Sequence, residues 1–120
     1  MHTTGQAVFQ HQGWDSIPAE QIAEGIERQM MWGDRMMVCR LRIAARTVTP
    51  VHSHPHEQIT LVERGRVLFT VTGQERVTSA GDVLHFPPHC EHGATMLGDE
   101  VVLIDIFSPL REDFLPATKR

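Results

Sequence analysis

The segment His52-Ser53-His54-Pro55-His56-Glu57-Gln58, answered far downstream by Pro87-Pro88-His89-Cys90-Glu91-His92, places the strongest constraint on how this chain can fold. Imidazole nitrogens and an amide oxygen are ligands for a divalent first-row metal. Side chains on a strand alternate with period two, so residues i, i+2 and i+6 share a face. His52, His54 and Gln58 have that parity. Bringing His92 to the same point requires a strand folded back across the first. The pattern therefore predicts a closed or nearly closed β architecture rather than a helical metal site.

The rest of the chain agrees with this. From residue 26 onward it consists of short alternating apolar and polar runs separated by turn signals. The runs predict strands over 25–31, 35–43, 57–63, 66–71, 75–79, 83–86 and 101–107. Trp32-Gly33-Asp34, Glu63-Arg64-Gly65, Thr72-Gly73-Gln74, Ala80-Gly81-Asp82 and Leu97-Gly98-Asp99 supply the expected turns. One helical turn is expected over 18–26, with Ser16 as its cap. The tail 113–120 reads as an irregular extension packed on the barrel or on a partner.

With 120 residues, the chain has room for a single domain. We expect a barrel core over about 25–110, an N-terminal extension 1–24 and a C-terminal tail 111–120. A net charge of −4 and the lack of any Lys/Arg-rich run argue against nucleic acid and favour a small neutral or acidic ligand. Met1-His2-Thr3-Thr4-Gly5-Gln6 lacks the pattern of a signal peptide, and no apolar run approaches the ~20 residues that span a bilayer, so the expected location is cytoplasmic. Cys39 and Cys90 are then expected to be reduced thiols, with Cys39 a small core residue.

Five of the eight histidines fall in the two motif segments, which favours His52, His54 and His92 as metal ligands with Gln58 as the fourth. Three neutral imidazoles and a neutral amide would leave the charge of the ion uncompensated, which suits an anionic substrate. His56 reads as a rim residue, Glu57 points to the opposite face, and His89 flanks the mouth. His85, His11 and His2 carry no spacing argument, and Cys90 has no assigned role.

Val101-Val102-Leu103-Ile104-Asp105-Ile106-Phe107 is an apolar strand holding one carboxylate, and a buried charge is costly unless it is paired or functional. Asp105 either projects into the barrel near the metal or faces outward. Arg111 follows closely enough to fold over the barrel mouth and offer a planar fork to a carboxylate. The plain structural alternative is an Asp105–Arg111 ion pair that closes the strand end.

These motifs resemble those of the cupin family. The first cupin motif, His-x-His, three or four residues, Glu, six residues, Gly, is matched by His52-x-His54, Gln58 and Gly65; the second, Gly, five residues, Pro-x-Gly, two residues, His, is matched by Gly81, Pro87-x-His89 and His92. The departures are Gln58 for Glu, His89 for Gly, and Arg46 where a Gly is expected six positions before His52. The implied fold is all-β, a single-domain double-stranded β-helix or jelly-roll barrel. Asp105-Ile106-Phe107-Ser108-Pro109-Leu110-Arg111, taken with His-Ser-His-Pro-His-Glu-Gln, is further similar to the KdgF-type cupins of pectin and alginate breakdown, in which Gln in place of Glu is expected.

That resemblance implies linearisation of 4,5-unsaturated monouronates. It also implies one divalent transition metal (Ni, Zn, Fe, Mn or Co) held by His52, His54, Gln58 and His92. Asp105 and Arg111 would be the catalytic residues, Phe107 and Arg111 would bind an acidic sugar, and the assembly would be a homodimer. An Fe(II)-dependent dioxygenase and a non-catalytic sugar-acid sensor are the competing readings.

Overall fold

In a computed structural model of the protein, residues 8–116 are described. The readings of Met1–Gln6 and His2, and the last four residues of the tail, lie outside them. The described chain holds eight strands: β1 Glu20–Ala23, β2 Ile26–Trp32, β3 Met37–Ile43, β4 Val48–His52, β5 Glu57–Val71, β6 Gln74–Ser79, β7 Val83–Phe86 and β8 His92–Ser108. Its helical segments are two short 3-10 turns, Trp14–Ser16 and Glu112–Phe114. No helix among the described residues is long and apolar enough to cross a membrane.

The strands form the expected all-β jelly roll around two long members. The N-terminal half of β5 pairs with the C-terminal half of β8 and with β7, and its C-terminal half pairs with the N-terminal half of β8 and with β6. β8 pairs with β4 through its first half and with β3 through its second, and β3 continues to β2 and β1. Two facing sheets result, β1-β2-β3-β8-β5-β7 and β4-β8-β5-β6. Apolar side chains from both fill the interior: Ile43, Val62, Val67, Phe69, Phe86 and Met96 in one cluster, and Met37, Cys39, Phe107 and Leu115 in a second. The Cys39 thiol is fully buried and its pKa is pushed up to about 12, by burial first and the nearby Asp105 second, so it is an inert core residue as expected.

Several boundaries differ from the sequence reading. Glu63-Arg64-Gly65 is a bulge inside β5, where the register with β8 shifts on either side of Arg64. Gly65 sits at φ 88°, and a Cβ there would lie 2.9 Å from the Glu100 carbonyl oxygen, so only glycine lets the two strands stay this close. Leu97-Gly98-Asp99 likewise lies within β8, and the strand changes neighbour there from β4 to β3. The helix expected over 18–26 is β1 and its turn into β2, because pairing with β2 satisfies this backbone better than one isolated turn would. β4 was not anticipated. The described part of the tail, residues 113–116, packs on the barrel, with Leu115 buried.

Two of the departures from the cupin motifs have a backbone meaning. Arg46 and His89 occupy the left-handed region, at φ 65° and 66°. Cys90 N donates to Pro87 O at 3.1 Å, so His89 is the third residue of a turn that requires positive φ, and its own N–H reaches His54 O at 2.7 Å. An L side chain in this region costs ~1–2 kcal/mol, partly offset by the ~0.5–1 kcal/mol that glycine loses in flexibility. Arg46→Gly should therefore raise the free energy of urea unfolding by about 0.5–1 kcal/mol; an unchanged or lower midpoint contradicts this account.

Candidate metal and substrate site

The site lies where β4 crosses the start of β8. His52 and His92 are register partners across that ladder, and their ring centroids are 4.5 Å apart. The approach depends on Gly93: a Cβ there would stand 2.9 Å from Val51 N and 3.0 Å from Thr49 O. Its absence lets the β4 backbone bulge between Thr49 and His52 and settle on β8. His54 lies in the connection between β4 and β5 and Gln58 is the second residue of β5, so the three do not share one strand face. The parity argument is corrected to that extent, although the residues do converge. Ligand nitrogens of His52, His54 and His92 all lie within 4.8 Å of one another, with His54 and His92 buried and His52 exposed.

All three rings are oriented in the same way. Nδ1 of His52 lies 2.9 Å from Pro50 O, Nδ1 of His54 lies 3.0 Å from His56 O, and Nδ1 of His92 lies 2.8 Å from Cys90 O. A carbonyl oxygen only accepts, so the Nδ1–H of His52 and of His92 donates to it and Nε2 is left open to a ligand in those rings, whereas His54 faces acceptor oxygens at both nitrogens, His56 O and Gln58 Oε1. Burial lowers the pKa of His54 to about 4, helped by the Arg111 charge, and burial also lowers that of His92, so both stay neutral at ordinary pH. Phe86 stacks on His92 at 4.5 Å with a 23° tilt and fixes its plane.

The donor set fits a cation for a specific reason. Gln58 Nε2 donates to Thr60 Oγ1 at 2.8 Å, and Thr60 Oγ1 donates to Asp105 Oδ1 at 2.7 Å. This relay fixes the amide orientation and turns Gln58 Oε1 toward His54 Nε2, 3.0 Å away. The neutral His54 ring has one proton for two acceptor oxygens, His56 O and Gln58 Oε1, and with that proton on Nδ1, as in His52 and His92, two lone pairs face each other between Nε2 and Oε1. A bound cation accepts both, and His52, His54, Gln58 and His92 are the residues that would hold it.

Asp105 points inward. It is partly buried, faces Cys39 and Thr60 across its two ladders, and lines a cavity of about 280 Å³ together with Gln58, Phe107 and Arg111. Burial pushes its pKa up to about 6, opposed by the bonds to Thr60 and Gln58 and by Arg111. The Asp105–Arg111 pair considered from the sequence is replaced by another: Arg111 holds Asp113 through two bonds, at 3.1 and 3.0 Å. The Arg111 guanidinium lies over Phe107, 5.1 Å from the ring centroid.

His56 is half-buried, its ring 5.4 Å from that of His54 and its backbone oxygen serving His54, whereas exposed His85 pairs with Glu57 at 2.6 Å. His89 contributes a backbone N–H rather than a ligand. Sequence reasoning missed Thr60, although Gln58-x-Thr60 on one strand face is a readable signal. It also missed Gly93, whose role appears only once β4 lies against β8.

Residues 39–107 match the cupin domain family model. The chain belongs to the cupin family. This cupin is 34% identical over 103 residues to the pectin degradation protein KdgF of Dickeya dadantii (strain 3937), across 84% of this chain and 94% of that one. Among solved structures it is similar to an RmlC-like cupin from Shewanella frigidimarina NCIMB 400, with 33% identity, a TM-score of 0.84 and coverage of 90% of this chain and 97% of that one. It is also similar to KdgF from Halomonas sp., with 30% identity, a TM-score of 0.80 and coverage of 84% and 94%. These likenesses make it a KdgF-type cupin.

Gly93→Ala should push β4 off β8 and separate His52 from His92. The expected outcome is a folded protein whose affinity for a divalent transition metal falls by about tenfold or more, the scale of lost ligand support. Wild-type affinity in a metal titration of this variant contradicts the role given to the close approach.

Proposed function

We propose that this cupin opens the ring of 4,5-unsaturated monouronates released from pectin or alginate, giving the linear keto-uronate. The observation that carries the reading is the relay Gln58–Thr60–Asp105, which sets Gln58 Oε1 3.0 Å from His54 Nε2 and so links the imidazole cluster to an inward carboxylate in a cavity that also holds a guanidinium. Two similar proteins are named KdgF, one of them a pectin degradation protein.

The reaction is an isomerisation. The C1 hydroxyl loses a proton as the bond from C1 to the ring oxygen breaks, leaving a C1 aldehyde and an enolate at C5. Protonation at C4 then gives the C5 ketone, so no atom is gained or lost. Asp105 is the base that takes the C1 proton, and its raised pKa keeps both protonation states accessible near neutral pH. Thr60 holds the carboxylate toward the cavity through its 2.7 Å bond. Arg111 binds the substrate carboxylate, and Phe107 gives the ring an apolar wall. His52, His54, Gln58 and His92 would hold a divalent ion, which would supply positive charge to offset negative charge on a substrate oxygen.

The test follows the ultraviolet absorbance of 4,5-unsaturated galacturonate with metal-loaded protein, metal-stripped protein and no protein. Loss of absorbance faster than the spontaneous decay, dependent on metal and without oxygen uptake, is the expected result. No acceleration by fully metallated protein contradicts the proposal, and substrate-dependent oxygen uptake favours the dioxygenase instead. Asp105→Asn should lower kcat by about 10²-fold or more with metal content unchanged; near-wild-type turnover removes Asp105 as the base. Arg111→Ala should chiefly raise KM, by about tenfold or more for a lost charge-assisted contact, and an unchanged KM removes it as the carboxylate-binding group.

A further inference from the structure

Arg111 is held on more than one side by the tail that follows it. Asp113 takes its Nε and Nη2 edge, and the guanidinium carbon lies 4.2 Å from the centroid of the Phe114 ring. A second guanidinium, that of Arg28 on β2, lies 4.3 Å from the same centroid and donates to Phe114 O at 3.4 Å. Both cations are nearly buried, with side chains 10% and 12% exposed, and each has its own carboxylate, Glu20 for Arg28 and Asp113 for Arg111. Phe114 also meets Phe107 edge-on at 5.7 Å and lines the cavity.

An arginine on a flexible tail loses binding energy to the entropy of being ordered, and one already held in place does not. The planar face of Phe114 fixes the plane of the Arg111 guanidinium, while Asp113 fixes its rotation by occupying one edge and leaves the Nη1 group for a ligand. Arg28 in turn secures Phe114 from β2, so the register of the first sheet determines where Arg111 stands. We propose that Phe114, anchored by Arg28, is a positioning residue that preorganises Arg111 for the carboxylate of a uronate. This rests on the reading of Arg111 given above.

Calorimetric titration of metal-loaded protein with galacturonate, a saturated uronate that cannot undergo the reaction, reads this directly. Phe114→Met and Phe114→Leu keep apolar volume without the aromatic face, and Phe114→Tyr keeps the face. Either ring-less variant should weaken galacturonate binding by about threefold or more, Phe114→Tyr should restore it, and in an Arg111→Ala background the ring-less change should have no further effect. Equal weakening with and without Arg111 overturns the positioning role in favour of general destabilisation, and a melting temperature for each variant reports that separately. If Arg111→Ala weakens binding but the Phe114 variants match wild type, the positioning proposal falls while the reading of Arg111 stands. If Arg111→Ala itself binds as wild type, that reading falls and this proposal falls with it.

Discussion

The pairing of β5 with β8 is the constraint on which the molecule depends. These are its two longest strands, and they run against each other from Glu57–Ser108 at one end to Val71–His92 at the other. Each belongs to both sheets, so their mutual register sets the position of everything else. A one-residue slip in a strand moves every side chain to the opposite face. The bulge around Arg64 absorbs the irregularity, and Gly65 makes it sterically possible beside Glu100.

The same register assembles the polar interior. Gln58 faces Phe107, Thr60 faces Asp105, and Val71 faces His92, so one ladder delivers two members of the relay, its carboxylate and one imidazole. β4 adds His52 from the other side of β8. Buried polar groups are tolerated when each has a partner, and here Gln58, Thr60 and Asp105 satisfy one another in sequence. Beside them, His54 has one proton for two acceptor oxygens, His56 O and Gln58 Oε1, so one of its contacts is left unsatisfied. That mismatch lies within the imidazole cluster, which is why the arrangement is read as a metal centre rather than as a core network.

Much of this was legible in the sequence. The spacing of His52, His54, Gln58 and His92 identified residues that do converge, and Asp105 drew attention as a carboxylate in an apolar strand. Strand parity is not what brings the histidines together, because His54 lies in the connection between β4 and β5. β4 was obscured by Pro50, which ordinarily counts against a strand but is tolerated beside a bulge. Glu63-Arg64-Gly65 has the composition of a turn, and only pairing with β8 makes it a bulge. Arg111 was expected at the mouth, but its partner Asp113, two residues on, was not anticipated. The contact between Arg28 and Phe114 spans 86 residues and leaves no local trace in the sequence. The unusual residues at 46 and 89 were visible as departures, and the backbone angles supply their meaning.

The central claim is that strand register brings three Nδ1-protonated imidazoles and one amide oxygen to a single ion. X-ray absorption at the zinc edge of the zinc-loaded protein tests it most directly. The account predicts a first shell containing three imidazole nitrogens at ~2.0–2.1 Å together with oxygen, with one imidazole lost in each of the His52→Ala, His54→Ala and His92→Ala variants. A shell with fewer than three imidazoles, or one that His92→Ala leaves unchanged, contradicts it.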